Sequence, residues 1–113
     1  MEIAELSKIN FKFNEKDLIP VIVQDNDSGD ILMMAWMNEE SIQRTIIGGN
    51  MVYWSRSRSE LWLKGSTSGN TQKLISLSID CDYDCLLAKV VQSGVACHTG
   101  AKSCFLTSIF ESN

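Results

Sequence analysis

The sequence predicts an α+β fold, a mostly antiparallel sheet carrying few short helices, and three observations lead there. Two apolar runs flank a strong turn signal, one segment carries the marks of a capped helix, and a later segment alternates in polarity beside another apolar run. Leu18–Gln24, rich in Val and Ile, reads as the first strand. Asp25-Asn26-Asp27-Ser28-Gly29-Asp30 is a turn by composition, so Ile31–Met37 returns as a buried second strand and completes a hairpin. Asn38 is placed to cap a helix over Glu39–Ile47, with Glu39 and Glu40 in the first turn, where they complement the helix dipole. Gly48-Gly49 ends it. Met51–Ser55 and Leu61–Lys64 read as two further strands, and Gly65–Asn70 as loop. In Lys73–Asp82 an extended chain points Leu74, Ser76, Ser78, Asp80 and Asp82 one way and Lys73, Ile75, Leu77, Ile79 and Cys81 the other. Leu86–Gln92, apolar except at Lys89 and Gln92, fits strand or helix; a strand paired with Lys73–Cys81 is the preferred reading.

Length and composition bound the answer. A chain of 113 residues fits one domain, residues 1–113, in which 1–17 form an N-terminal extension expected to pack against a partner chain. With 44% hydrophobic and 21% charged residues the chain has enough apolar surface for a core, which excludes disorder. A net charge of −4 and a pI near 4.8 exclude nucleic-acid or anionic-membrane binding driven by overall charge. The charge is segregated, however: residues 1–50 hold 9 acids and 4 bases, whereas 51–113 hold 5 acids and 6 bases. No basic, apolar leader opens the chain, and no run approaches the roughly 20 apolar residues of a membrane span. The expectation is a cytoplasmic protein, where clustered cysteines bind metal or do chemistry more often than they form disulfides.

Three constellations carry chemistry. The first is Asp80-Cys81-Asp82-Tyr83-Asp84, in which three carboxylates share one face if the backbone stays extended. Their repulsion is relieved by a hard cation such as Mg²⁺; a solvated acidic turn is the equal alternative. The second is Cys97-His98-Thr99-Gly100 with Ser103-Cys104. Cys81, Cys97 and Cys104 supply three thiolates and leave a fourth zinc position for water, as catalytic zinc sites do; the alternative is a set of reduced, buried thiols. Zinc in such a site lowers the pKa of its water to about 7. His98, the sole histidine, is either a fourth ligand or, as adjacent Cys and His rarely turn to one metal, a general acid/base. Cys85 reads as a spare core thiol. The third runs from Tyr53 to Asn70. Ser55, Arg56, Arg58, Lys64, Thr67, Ser68 and Asn70, among glycines, offer the donors and cations that a phosphate needs, and Trp54 and Trp62 can stack on a base. A polar hairpin tip with solvated arginines is the alternative.

Taken together, WSRSRSELWLKGSTSGN (Trp54–Asn70), DCDYD (Asp80–Asp84), ACHTGAKSCF (Ala96–Phe105) and the upstream LMMAWMNEES (Leu32–Ser41) resemble the phosphoribosyl-AMP cyclohydrolase family of histidine biosynthesis. The resemblance runs from about Leu18 to Phe105. It implies hydrolytic opening of the adenine ring of N1-(5-phosphoribosyl)-AMP at the N1–C6 bond, giving the formimino-aminoimidazole-carboxamide ribonucleotide. It also implies Zn²⁺ on Cys81, Cys97 and Cys104, Mg²⁺ on Asp80, Asp82 and Asp84, and a water-activating role for His98. Arg56, Arg58, Lys64, Thr67, Ser68 and Asn70 fall in the family's substrate-binding segment. An intertwined homodimer is implied too, with zinc thiolates drawn from both subunits. Ser66 stands where the family usually has an acidic residue, and the expectation is a form without the fused C-terminal domain of some relatives. The competing readings are a zinc-binding nucleotide module and a zinc hydrolase of another N1-substituted purine.

Overall fold

In the computed structural model, which describes residues 3–112, the Asp25–Asp30 turn folds as its composition demands. The Asp25 amide donates to Asp30 O at 2.8 Å, and the Ser28 hydroxyl donates to the Asp25 carboxylate at 2.7 Å. This turn joins β1 (Ile19–Asp25) to β2 (Ile31–Met37) in an antiparallel hairpin running from Ile19 opposite Met37 to Val23 opposite Met33. Upstream, a single turn of helix, α1 (Ile3–Leu6), precedes a segment whose Ile9, Phe11 and Phe13 lie against the core of their own chain. Of the expected N-terminal extension 1–17, Met1 and Glu2 lie outside the described residues.

Helix α2 (Glu39–Gly48) starts at Asn38, whose side chain accepts from the Ser41 amide at 2.8 Å, while the Ser41 hydroxyl accepts from the Asn38 amide at 2.9 Å. It runs through Gly48, one residue beyond the expected end, because a single left-handed residue suffices to stop it. Gly49 fills that role at φ 83°, its amide donating to Thr45 O at 2.8 Å. Strands β3 (Val52–Ser55) and β4 (Glu60–Leu63) form a separate two-stranded sheet, tied to α2 where the Val52 amide donates to the buried Thr45 hydroxyl at 2.9 Å.

Strands β5 (Gln72–Ile79) and β6 (Leu86–Gln92) pair antiparallel, confirming the strand reading of the last apolar run. The four-stranded sheet has the order β2-β1-β6-β5, and β6 lies parallel to β1. That one parallel neighbour is possible because α2 and the small sheet intervene and supply a long crossover. Ile19, Val21, Val23, Leu32, Met37, Ile42, Met51, Tyr53, Leu86, Ala88 and Val90 make the core.

Two expectations about β5 are corrected. Its alternation breaks at a bulge: Leu74 faces Val90 and Ser76 faces Lys89, leaving Ile75 without a partner. The extra residue shifts the phase, so Leu74 packs inward together with Leu77 and Ile79, while Ile75 is exposed. The strand also stops at Ile79 instead of running on to Asp82. A tight turn over Asp80–Asp84 replaces extended backbone there, with Tyr83 at φ 62° and the Asp80 amide donating to Cys85 O at 3.0 Å.

Candidate active site

The loop after β6 doubles back on itself and is pinned to the first hairpin. The Cys97 amide donates to Ala101 O at 3.1 Å, the Cys104 amide to Leu32 O at 2.7 Å, and the Ser103 hydroxyl to Ile31 O at 2.8 Å. Lys102 reaches the hairpin turn, 2.8 Å from the Asp30 carboxylate and 3.5 Å from that of Asp25. This folding places Cys97 and Cys104 in one loop, close enough for each thiol to influence the other's protonation. The Thr99 hydroxyl donates to the buried Cys97 sulfur at 3.0 Å, and this bond leads in holding the Cys97 thiol below its ordinary pKa; Cys104 and the Lys64 charge help. Cys104 moves the other way, raised first by burial and then by the neighbouring Cys97. His98 is exposed, one residue from this pair. Thr99 is a functional candidate that residue spacing does not flag.

A partly buried polar chain, which the sequence pattern also leaves invisible, links β3, β5 and β6. The Tyr53 hydroxyl donates to the Gln72 side-chain oxygen, and the Gln72 amide donates to Gln92 at 2.8 Å and to the Met33 sulfur at 3.4 Å. Gln92 donates in turn to Ser93 O at 3.0 Å and Thr71 O at 3.3 Å. Burial, then the nearby Cys104, pushes the Tyr53 phenol far above its ordinary pKa, so it remains a neutral donor.

The basic segment forms a cleft of about 660 Å³ lined by Ser55, Arg58, Glu60 and the run from Leu61 to Ser68. Of the predicted anion-binding residues it gathers Ser55, Arg58, Lys64, Thr67 and Ser68. It does not gather Trp54, Arg56 or Asn70. Trp54 is half-buried opposite Leu61 in the small sheet. The Arg56 guanidinium lies 4.8 Å from the ring centre of Trp36, on β2. Asn70 closes the loop from behind, its side chain against Gly94. Lys64 lines the cleft yet is only 6% exposed, and its ammonium donates to Ala96 O at 3.0 Å, next to Cys97.

At the far end of β5 and β6, the Asp80–Asp84 turn brings the carboxylates of Asp80, Asp82 and Asp84 within 4.8 Å of one another, all exposed. Asp80 sits at the hub: its carboxylate accepts from the amides of Asp84 at 3.0 Å and Cys85 at 3.2 Å, which holds it below the ordinary carboxylate range. Asp84 is raised, chiefly by its hydrogen bond with Asp80. Three hard oxygens this close together suit Mg²⁺. Cys81 is exposed in this turn, and Cys85 is half-buried with its thiol raised by burial. Among the described residues, no set joins Cys81 with Cys97 and Cys104. The reason is topological: the seven residues of β6 separate the two ends by about 20 Å.

No helix among the described residues is long and apolar enough to cross a membrane. Comparison with known proteins bears on all these features at once. A protein of Ruegeria sp. named phosphoribosyl-AMP cyclohydrolase is 52% identical over 108 residues, covering 96% of this chain and 84% of the relative. One of the same name from Trichormus variabilis is 60% identical over 99 residues, covering 87% and 85%. A third, from Paracoccus denitrificans, is 53% identical over 102 residues, covering 90% and 84%. The family model of phosphoribosyl-AMP cyclohydrolase matches residues 33–106, a stretch that contains the cleft, the carboxylate turn and the Cys97–Cys104 loop, and the chain therefore belongs to the phosphoribosyl-AMP cyclohydrolase family.

Proposed function

We propose that the chain hydrolyses N1-(5-phosphoribosyl)-AMP at the N1–C6 bond, in histidine biosynthesis, as a homodimer that uses Zn²⁺ and Mg²⁺. The observation that carries this reading is that the one stretch matching the family holds every candidate group. The donor chemistry fits both ions. Cys97 and Cys104 offer two soft sulfurs in one loop, one of them with a hydroxyl donor that favours the thiolate. Cys81, too far away in its own chain, is supplied by a second copy. The Asp80, Asp82 and Asp84 turn offers hard oxygens for Mg²⁺.

Zinc held by these sulfurs would supply the Lewis acidity that lowers the pKa of a bound water. The protein's own groups do the rest. Arg58, Ser55, Thr67 and Ser68 surround a cleft wide enough for a nucleotide and offer a guanidinium fork and hydroxyls to its two phosphates. Trp62, half-exposed on the cleft wall, offers a stacking face for a base. In this reading His98, exposed beside Cys97, hands a proton to the departing N1, so that ring nitrogen leaves instead of ammonia.

The test is zinc content and ring opening measured on one purified sample, with AMP and adenosine as comparison substrates. Ring opening of the phosphoribosyl substrate alone is expected, and Cys97→Ala is expected to remove zinc and turnover together. An active, zinc-free Cys97→Ala protein overturns the reading.

A further inference from the structure

The polar chain between β3, β5 and β6 has a single self-consistent direction of hydrogen bonding. Gln72 and Gln92 are cross-strand partners, and Gln72 is fully buried. At one end the Gln92 amide nitrogen donates to two backbone carbonyls, Ser93 O at 3.0 Å and Thr71 O at 3.3 Å. Carbonyls only accept, so this end has to donate, and the Gln92 side-chain oxygen must face the other way. There it accepts from the Gln72 amide at 2.8 Å, which leaves the Gln72 oxygen in need of a donor. The Tyr53 hydroxyl supplies it. Reversing either amide would set oxygen against oxygen away from water, which is costly. Tyr53 thus fixes, through Gln72, where the Gln92 donor points.

The two carbonyls that Gln92 grips belong to different loops. Thr71 ends the loop that follows the cleft residues Lys64, Thr67 and Ser68, and Ser93 opens the loop that carries Cys97 and His98. Three more contacts close the same seam. The Ser93 amide donates to Thr71 O at 2.9 Å, the Lys64 ammonium donates to Ala96 O at 3.0 Å, and the Asn70 side chain lies against Gly94. We propose that Tyr53, Gln72 and Gln92 are positioning residues that set the register between the phosphate cleft and the Cys97–His98 loop. The inference rests on the function proposed above. A nucleotide whose phosphates lie in the cleft presents its ring to the second loop, so a shift between the loops costs turnover while the phosphate contacts stay in place.

The experiment measures kcat and KM for ring opening of the phosphoribosyl substrate by the full-length protein, at a temperature where circular dichroism shows each variant folded. Gln92→Leu removes the donor with little change in volume, Gln92→Glu puts an oxygen in its place, and Tyr53→Phe removes only the orienting hydroxyl. Ser41→Ala is the control for lost stability, because the Ser41 hydroxyl bonds only Asn38 at the start of α2. Both Gln92 variants are expected to lose about 10–100-fold in kcat with KM within about threefold of wild type. Tyr53→Phe is expected to lose about 3–10-fold in kcat with the same KM, and Ser41→Ala to melt earlier with wild-type kcat. Should the Gln92 variants fail to fold, Tyr53→Phe decides. A folded Gln92→Leu or Tyr53→Phe protein with wild-type kcat overturns the proposal, and so does a loss that falls on KM or that Ser41→Ala shares. A wild-type protein that does not open the ring refutes the activity itself, so the two failures are distinct.

Discussion

Gly65 has no room for a side chain. A Cβ there would stand 2.5 Å from Asn70 C and 2.6 Å from Thr71 N, both backbone atoms, in a residue already at φ 83°. Gly94, at φ 75°, meets the same asparagine differently: the atom 2.1 Å from its would-be Cβ is the Asn70 side-chain oxygen, which can rotate away. The two glycines thus separate strain from overlap. Gly65→Ala is expected to cost about 2–4 kcal/mol and to weaken substrate binding, since the loop it closes lines the cleft; Gly94→Ala should cost about 1–2 kcal/mol. Denaturant unfolding of the two variants checks this, and equal losses would show that the Asn70 side chain is as fixed as the backbone.

Among the elements, the loop over Ala96–Cys104 is the one whose placement matters most, and it is held to the β1–β2 turn by Lys102. The Ser28 hydroxyl, with help from Lys102, holds the Asp25 carboxyl below its ordinary range, and the Lys102 ammonium does the same to Asp30. Lys102 is raised in turn, first by Asp30. Depressed carboxyl pKa values contribute stability above the unfolded value of about 3.9, and that contribution is lost as pH falls through the lower folded values. The melting temperature of the wild type is therefore expected to fall as pH drops below about 4. Lys102→Met should show a smaller fall over that range, with part retained because Ser28 still donates to Asp25. Parallel melting curves for the two proteins would count against the clip.

For the whole molecule, the separation of Cys81 from the Cys97–Cys104 pair makes the quaternary prediction sharp. Mixed Cys81→Ala and Cys97→Ala chains, each inactive alone, regain one intact site per hybrid dimer, so random exchange is expected to restore about a quarter of wild-type activity. Activity is read after subunit exchange has been verified by mass. Absence of recovery in exchanged dimers rules out a shared centre, whereas activity of either variant alone rules out its cysteine as a ligand.

Much of this was legible in the residues, and the physical reason is that the legible parts are local. The Asp25–Asp30 turn, the Asn38 cap and the left-handed Gly49 are decided within a few positions, so the β1–β2 hairpin and α2 follow from sequence to within a residue or so. The cysteines, the carboxylate cluster and the basic segment are legible as chemistry because their residue types are unusual in those spacings. The parts that the residues leave open depend on contacts between distant segments. A bulge at Ile75, a parallel partner for β6, the Tyr53–Gln72–Gln92 chain and the stacking of Arg56 on Trp36 each join segments that no periodicity links. The sequence by itself thus determined the family and the local turns. Only the tertiary structure decided that Lys64 turns inward to the Ala96 carbonyl, and that β6 holds Cys81 away from Cys97 and Cys104, because strand length and pairing, not residue identity, set those distances.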